Sequence, residues 1–218
     1  MSKGEVARKG EATRKGEITR HAILEHAASL ATKLGLEGLT IGRLADDLGL
    51  SKSGLFAHFQ SKESLQLAVV EFAAERFVES AVKPSFSADR GEPRVRALFE
   101  NWLAWPKRSG LAAGCFFVAA SVELDDRPGP VRERLVKLQK DWLDTIAQAV
   151  RIAIAEKHFR RDVDPDQFAY ETYGLMLVAH HFTRLLRDPA ADGRARTAFE
   201  NQLTKARLSQ PYPMKGDP

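Results

Sequence analysis

The chain has little from which a disulfide framework, a membrane span or a catalytic centre could be built. It holds one cysteine in 218 residues, Cys115, so no internal disulfide can form, a usage that suits a reducing compartment. No apolar run approaches the ~20 residues needed to cross a bilayer. Met1 to Arg20 are polar and lack the apolar middle of a signal peptide. The expectation is a soluble protein of the cytoplasm with no membrane partner. Gly-rich phosphate loops, metal-ligand spacings and the G-x-S-x-G elbow are all missing. Cys115 sits in the apolar string Gly114-Cys115-Phe116-Phe117 with no activating neighbour. His180 and His181 are adjacent, so on a helix they point about a third of a turn apart and do not chelate as an i, i+4 pair would. No enzyme activity, cofactor or metal is therefore expected.

What is present is ordinary for a globular protein: 44% hydrophobic and 28% charged residues, with a net charge of +4. The modest basic bias permits nucleic acid or an acidic partner. Three units, Lys3-Gly4-Glu5, Lys9-Gly10-Glu11 and Lys15-Gly16-Glu17, recur every six residues, and each unit ends in Arg (Arg8, Arg14, Arg20). Residues 1–20 carry six basic and three acidic side chains, +3 of the total. The glycines oppose a stable helix there. Residues 1–16 read as a flexible basic arm, either a solvated tail or a segment that touches DNA.

From about residue 17 the pattern is helical. Ile23, Ala27, Leu30, Ala31 and Leu34 share one face of a first helix, with Gly35 as its stop. Thr40 offers an N-cap to a short helix carrying Ile41, Leu44, Ala45 and Leu48 at i, i+3, i+4 and i+7. Gly49 suits a left-handed C-terminal position with Leu50 as its apolar follower. Ser51 can cap a third helix, Lys52 to about Phe59. Ser61 can cap a fourth, running to about Val82 and stopping before Pro84. Pro84 to Pro93 reads as a polar seam. Later helices are expected near 94–108, 112–124, 130–158, 165–187 and 191–208, punctuated by Ser109-Gly110, Asp125 to Pro130, Asp162 to Pro165 and Asp188-Pro189. The fold class is all-α, about nine helices. An N-terminal three-helix domain carries a helix-turn-helix, and a C-terminal helical domain follows it.

Residues 40–59 carry the strongest local signal: two short helices joined by a Gly-containing turn, the helix-turn-helix arrangement. An α-helix fits the major groove and presents its N-terminal residues to base edges. The second helix opens with Ser51, Lys52, Ser53 and Gly54, small polar residues and one cation, which let a backbone approach DNA. Leu55 and Phe59 are expected to turn inward with Leu44, Leu48 and Leu50. On pattern alone, an ordinary αα-corner in a helical core stays open.

Residues 17–72 resemble the N-terminal domain of the TetR family of bacterial regulators. The resemblance rests on the string from Leu39 to Leu65: Thr40 opening the second helix, Ala45 within it, Gly49 in the turn, Ser51 as cap, the aromatic-x-His-Phe ending Phe56 to Phe59, and Ser61-Lys62-Glu63 opening the fourth helix. It implies a double-stranded DNA operator as partner. Thr40 and the N–H groups behind it would meet a phosphate. Arg43 would point toward phosphate or an outer base, and Ser51, Lys52, Ser53 and Gly54 would face the groove. His58 and Lys62 would hold the DNA backbone. The family commonly has Tyr where this chain has Phe56, which cannot donate to phosphate and is left to pack on sugar or a thymine methyl. The alternative is a helical adaptor that keeps the fold without DNA binding, since residues 21–62 balance four basic against four acidic side chains.

In the rest of the chain, large apolar residues either fill a core or line a pocket for a small-molecule effector, as the resemblance implies. Trp102, Cys115, Trp142, Tyr173, Met176 and His180 are the expected wall. The helix at 165–187 is apolar on more than one face, which predicts a second partner surface. The resemblance implies a homodimer through the last two helices, with Leu175, Phe199 and Leu203 at the interface, and two reading heads on two half-sites. The expected division is 1–16 arm, 17–62 DNA-binding domain, 63–210 effector and dimerisation domain, and 211–218 tail.

Overall fold

The computed structural model describes residues 20–111 and 114–208. The basic arm at 1–16 and the tail at 211–218 lie outside the described residues. Nine helices of eight residues or more are present among them. These are α1 (20–34), α2 (Ile41–Leu48), α3 (Lys52–Phe59), α4 (Lys62–Phe77), α6 (Glu92–Arg108), α7 (Phe116–Leu124), α8 (Pro130–Ala155), α9 (Pro165–Arg184) and α10 (Ala191–Ala206). A single-turn helix, α5 (Lys83–Ser85), precedes α6. The backbone between α4 and α5 widens into a π-turn, Val78–Val82, so the helical path does not stop ahead of Pro84 as expected. Pro84 stands in the first turn of α5, directly after the widened π-turn. No helix among the described residues is long and apolar enough to cross a membrane.

The chain divides into two compact units. The first holds the residues up to Val78 together with Pro106–Leu138; the second holds Glu79–Trp105 and everything from Gln139. The expected boundary after residue 62 does not coincide with this division. α4 and α7 belong with the first three helices because the apolar stripes of α1 and α4 are buried together in the first unit.

The core of the first unit is built from Ile23, Leu24, Ala27, Ala28 and Ala31 of α1, Leu44 and Ala45 of α2, Leu55 and Phe59 of α3, and Leu65, Val69, Phe72 and Ala73 of α4, all buried. Phe77 meets Phe117 edge-on at 5.6 Å. Arg134 of α8 makes a two-pronged ion pair with Glu71 of α4, which holds that carboxyl below its usual range. Two inward expectations fail: Leu34 is 40% and Leu50 39% exposed. Leu50 follows Gly49, whose left-handed turn carries it off the stripe of α2, and Leu34 is the last residue of α1, at the open end of its stripe.

In the second unit, Phe99 stacks on Phe199 with ring centroids 4.0 Å apart, and Phe168 meets Phe199 edge-on. Gln202, itself buried, accepts from Thr172 and donates to the Phe168 carbonyl, so the α9–α10 pair carries a satisfied polar link inside its apolar seam. Asp164 caps α9 through the N–H groups of Asp166 and Gln167, with Pro165 at its first position. Arg207 and Arg96 bridge Glu92 and Glu200, and both carboxyls are held below their usual range, chiefly by Arg207 for Glu92 and Arg96 for Glu200.

Candidate nucleic-acid interface

Side-chain caps fix each helix of the reading head. The Thr40 hydroxyl accepts from the Arg43 N–H at 3.1 Å and starts α2. Gly49 closes α2 at φ +63°, and the Leu50 N–H reaches back to the Ala45 carbonyl at 2.9 Å, the six-residue return of a Schellman turn. Two residues later Ser51 accepts from the Gly54 N–H at 3.1 Å and starts α3. Ser61 and Ser64 then cap one another's backbone, and the Ser64 hydroxyl also donates to the Phe59 carbonyl, tying the end of α3 to the start of α4.

This framework leaves one face of α3 open. Leu55 and Phe59, four apart, are buried, whereas Ser51, Lys52, Ser53, Gly54 and Phe56 are exposed. Phe56 stands 54% exposed on a helix whose other large apolar groups are inside. Arg43 and Thr40 are exposed on α2 and its cap. The Lys52 stem lies back toward α2: a methyl placed on Gly42 would sit 3.6 Å from Lys52 Cε. His58 is half-buried in the last turn of α3, its ring tilted against Phe59. The result is a short helix with a small, polar, singly charged N-terminal face and an exposed aromatic one turn on. Its dimensions and chemistry fit a major groove.

Lys62 behaves differently from the other expected contacts. Its ammonium donates to the Glu37 carbonyl at 2.8 Å and to the Glu37 carboxylate at 2.9 Å. Lys62 and Gln66 donate to that carboxylate and hold it below its usual range. Glu37 lies in the α1–α2 loop, and the same loop is gripped from α7. The Leu36 and Glu37 N–H groups donate to the two oxygens of Glu123 at 2.6 and 2.7 Å. Sequence reasoning missed Glu37, Gln66 and Glu123. Gly35 was legible as a stop, but its partner lies 88 residues along the chain, beyond any local pattern.

The expected effector wall does not assemble within one unit. Trp102, Trp142, Tyr173, Met176 and His180 belong to the second unit and Cys115 to the first. Cys115, Trp102, Trp142 and Met176 are buried. Tyr173 is half-buried and donates to Gln139 at 2.8 Å. Burial pushes His180 below the usual histidine range, helped by the nearby charges of Arg184 and His181. On the α9–α10 surface, Leu175, Val178 and Phe182 face Ala191, Ala195 and Ala198 across an apolar groove of about 200 Å³. Phe199 and Leu203, expected at a partner interface, are 1% and 0% exposed within the chain itself. Phe199 is committed to Phe99, so the protomer's own core uses that face of α10.

Comparison with known proteins agrees with this geometry. Residues 23–69 match the model for bacterial regulatory proteins of the tetR family. Residues 91–199, half of the chain, match that for the tetracyclin repressor-like C-terminal domain. The HTH-type transcriptional repressor AcnR of Corynebacterium diphtheriae is 40% identical over 82 residues, a stretch covering 38% of this chain and 43% of that repressor. A TetR transcriptional regulator from Chloroflexus aurantiacus superposes with a TM-score of 0.80 at 28% identity, over 90% of this chain and all of that one. AibR, solved with isovaleryl coenzyme A and operator DNA, gives a TM-score of 0.64 at 25% identity, over 82% of this chain and 97% of that one. With capped helices, an open polar face on α3 and both family models matched, the chain belongs to the TetR family of DNA-binding transcriptional regulators.

Proposed function

We propose that this regulator is a cytoplasmic repressor that binds a palindromic operator as a homodimer and is released by a small-molecule effector. The observation that carries the reading is the outer face of α3. Ser51, Lys52, Ser53 and Gly54 stand exposed at the N-terminus of a capped helix, with Arg43 exposed on α2 and His58 at the far end. In this reading Lys52, Ser53 and Phe56 meet base edges, while Thr40, Arg43, His58 and Lys62 hold phosphates. Repression and release are supported by the repressor AcnR and by AibR, which was solved with both a ligand and its operator.

The dimer uses the apolar groove of α9 and α10, with Leu175 on its wall and Val178 at its rim. Exposed Leu185 and Leu186 continue the apolar surface past the end of α9. The effector site draws on Trp102, Trp142, Tyr173, Met176 and His180, a mixed aromatic and polar set that suits an apolar ligand with one polar group.

The test is fluorescence anisotropy with duplex DNA from upstream of the protein's own gene against a scrambled duplex of equal length. Specific binding at least a hundredfold tighter is expected at physiological salt. Equal affinity for the two duplexes and for duplexes selected from a random pool would favour a helical adaptor without DNA recognition, which the pairing of Lys62 with Glu37 would suit.

A further inference from the structure

The α1–α2 loop is a junction between the start of α4, which carries Lys62, and the end of α7, and Glu37 stands at its centre. All these groups lie in the first compact unit. We propose that Glu37 competes with DNA phosphate for Lys62, and that α7 and the turn that follows it, through Glu123 and Arg127, set how firmly Glu37 holds it. This rests on the reading that Lys62 meets the DNA backbone.

Three observations carry it. First, two of the three ammonium donors of Lys62 are already spent on one residue, the carbonyl and the carboxylate of Glu37. A phosphate must displace the carboxylate or share the cation with it, and the Glu37 charge itself opposes a phosphate. Second, Glu37 has little freedom to swing aside. The buried Gln66 donates to its other oxygen at 3.1 Å and to the Leu36 carbonyl at 2.9 Å, and Arg127 stands 3.6 Å from the oxygen that Lys62 uses. Third, the loop is fixed from α7. Gly35 at φ +77° turns the successive N–H groups of Leu36 and Glu37 toward one carboxylate, the concave arrangement that binds anions, and Glu123 fills it at 2.6 and 2.7 Å. A Cβ at Gly35 would lie 2.7 Å from that carboxylate, so any side chain there would push Glu123 out of its seat, on a backbone already in the left-handed region. A displacement of α7 therefore moves the Glu37 backbone directly, and with it the acceptor that Lys62 must leave.

The pair is exposed, 41% and 45% for the two side chains, so its effect is modest and screened by salt. The experiment uses the full chain, a duplex selected from a random pool by the protein itself, and an unrelated duplex of equal length, titrated by anisotropy at two salt concentrations. Lys62→Ala is expected to weaken binding to both duplexes and make the salt dependence shallower by about one. Glu37→Gln is expected to strengthen binding to both by about two- to fivefold, and this gain is expected to vanish in the Lys62→Ala background. Asp46→Asn, which removes an exposed charge from α2 without touching Lys62, is the control: any gain it gives persists without Lys62. Glu123→Gln, which weakens the grip on the loop, is expected to move affinity in the same direction as Glu37→Gln and to lose its effect without Lys62.

Melting temperatures establish that each variant is folded, and Glu123→Gln carries the test if Glu37→Gln is not. A Glu37→Gln gain that survives Lys62→Ala, or no gain at all, overturns the competition. An inert Glu123→Gln overturns the role of α7. If Lys62→Ala alone changes nothing, the phosphate contact of Lys62 and this proposal fall together, while the reading of α3 is decided separately by Lys52→Ala.

Discussion

α3 and α9 each bury one face and expose the other, but they furnish the exposed face by opposite choices. α3 shows solvent Ser51, Lys52, Ser53 and Gly54, with Phe56 as its one large apolar group. α9 and its C-terminal extension show Tyr170, Val178, Leu185 and Leu186, each more than half exposed. A small polar face with a cation loses little on being left in water, and gains from an anionic, hydrated partner that can come and go with salt. An apolar face loses free energy continuously while exposed and gains by staying covered. On the proposed reading, the same device, an amphipathic helix, supplies a reversible contact in one place and a lasting one in the other.

The sharpest way to break this contrast is inside α10. Phe199→Ala removes a ring stacked on Phe99 in the protomer's own core, and should cost about 3–5 kcal/mol of stability. Thermal melts should show the loss at every protein concentration. A concentration-dependent loss would return Phe199 to a subunit interface. Next comes Val178→Glu in the apolar groove. A charge left unpaired at a packed face costs on the order of 3 kcal/mol, so sedimentation equilibrium should record a monomer at micromolar concentration where the proposed wild-type assembly is a dimer. Wild-type protein that is already monomeric would remove the lasting contact from the comparison.

On the polar face, Lys52→Ala should weaken operator binding by about 1–3 kcal/mol with an unchanged melting temperature, because its side chain is exposed. Unaltered affinity would mean that α3 does not face the groove. Thr40→Ala should cost about 1 kcal/mol of stability through its lost cap, readable in urea denaturation.

The smallest effect is acid sensitivity. The carboxyls of Glu37, Glu71, Glu92 and Glu200 are held below 4.5 in the folded chain. Their contribution is full above that value and is lost as pH falls through the lower, folded values. Melting temperature should therefore decline below the ordinary glutamate range, after a smaller loss that begins near the ordinary histidine value, where the unfolded chain takes up a proton that buried His180 resists. Glu71→Gln should make that decline shallower, and an identical acid limb in the variant would remove Glu71 from the account.

The parts of the molecule legible in the sequence are those whose causes are local. Thr40, Ser51 and Ser61 cap the helices they precede, and Gly49 takes the left-handed turn, because a cap and its partner lie within three or four residues. Periodicity also identified α9 as apolar on two faces. It could not say which face the chain keeps for itself, and the resemblance implies a partner interface for Phe199 and Leu203, which the fold buries in the chain's own core. Helical spacing records that a residue is buried, not by whom. Leu50 departs from expectation because the positive-φ Gly49 turns the chain off the stripe, and Leu34 because it stands at the very end of its helix. The junction of Glu37 with Glu123 was invisible because it joins segments 86 residues apart through backbone N–H groups, which every residue type offers alike.

The contact between Glu123 and the loop after Gly35 bears on how such regulators can be recombined. The segment that reads DNA looks like a cassette, continuous in sequence and ready to be grafted onto another sensor. Cut after Val78, it would take with it two converging N–H groups and leave their acceptor behind on α7. A chimera that imports the first 78 residues alone inherits a loop shaped around a carboxylate supplied by the donor's α7. Exchange at this border succeeds only when Gly35 and Glu123 travel together, or when the recipient already presents an acidic side chain at the end of its own corresponding helix.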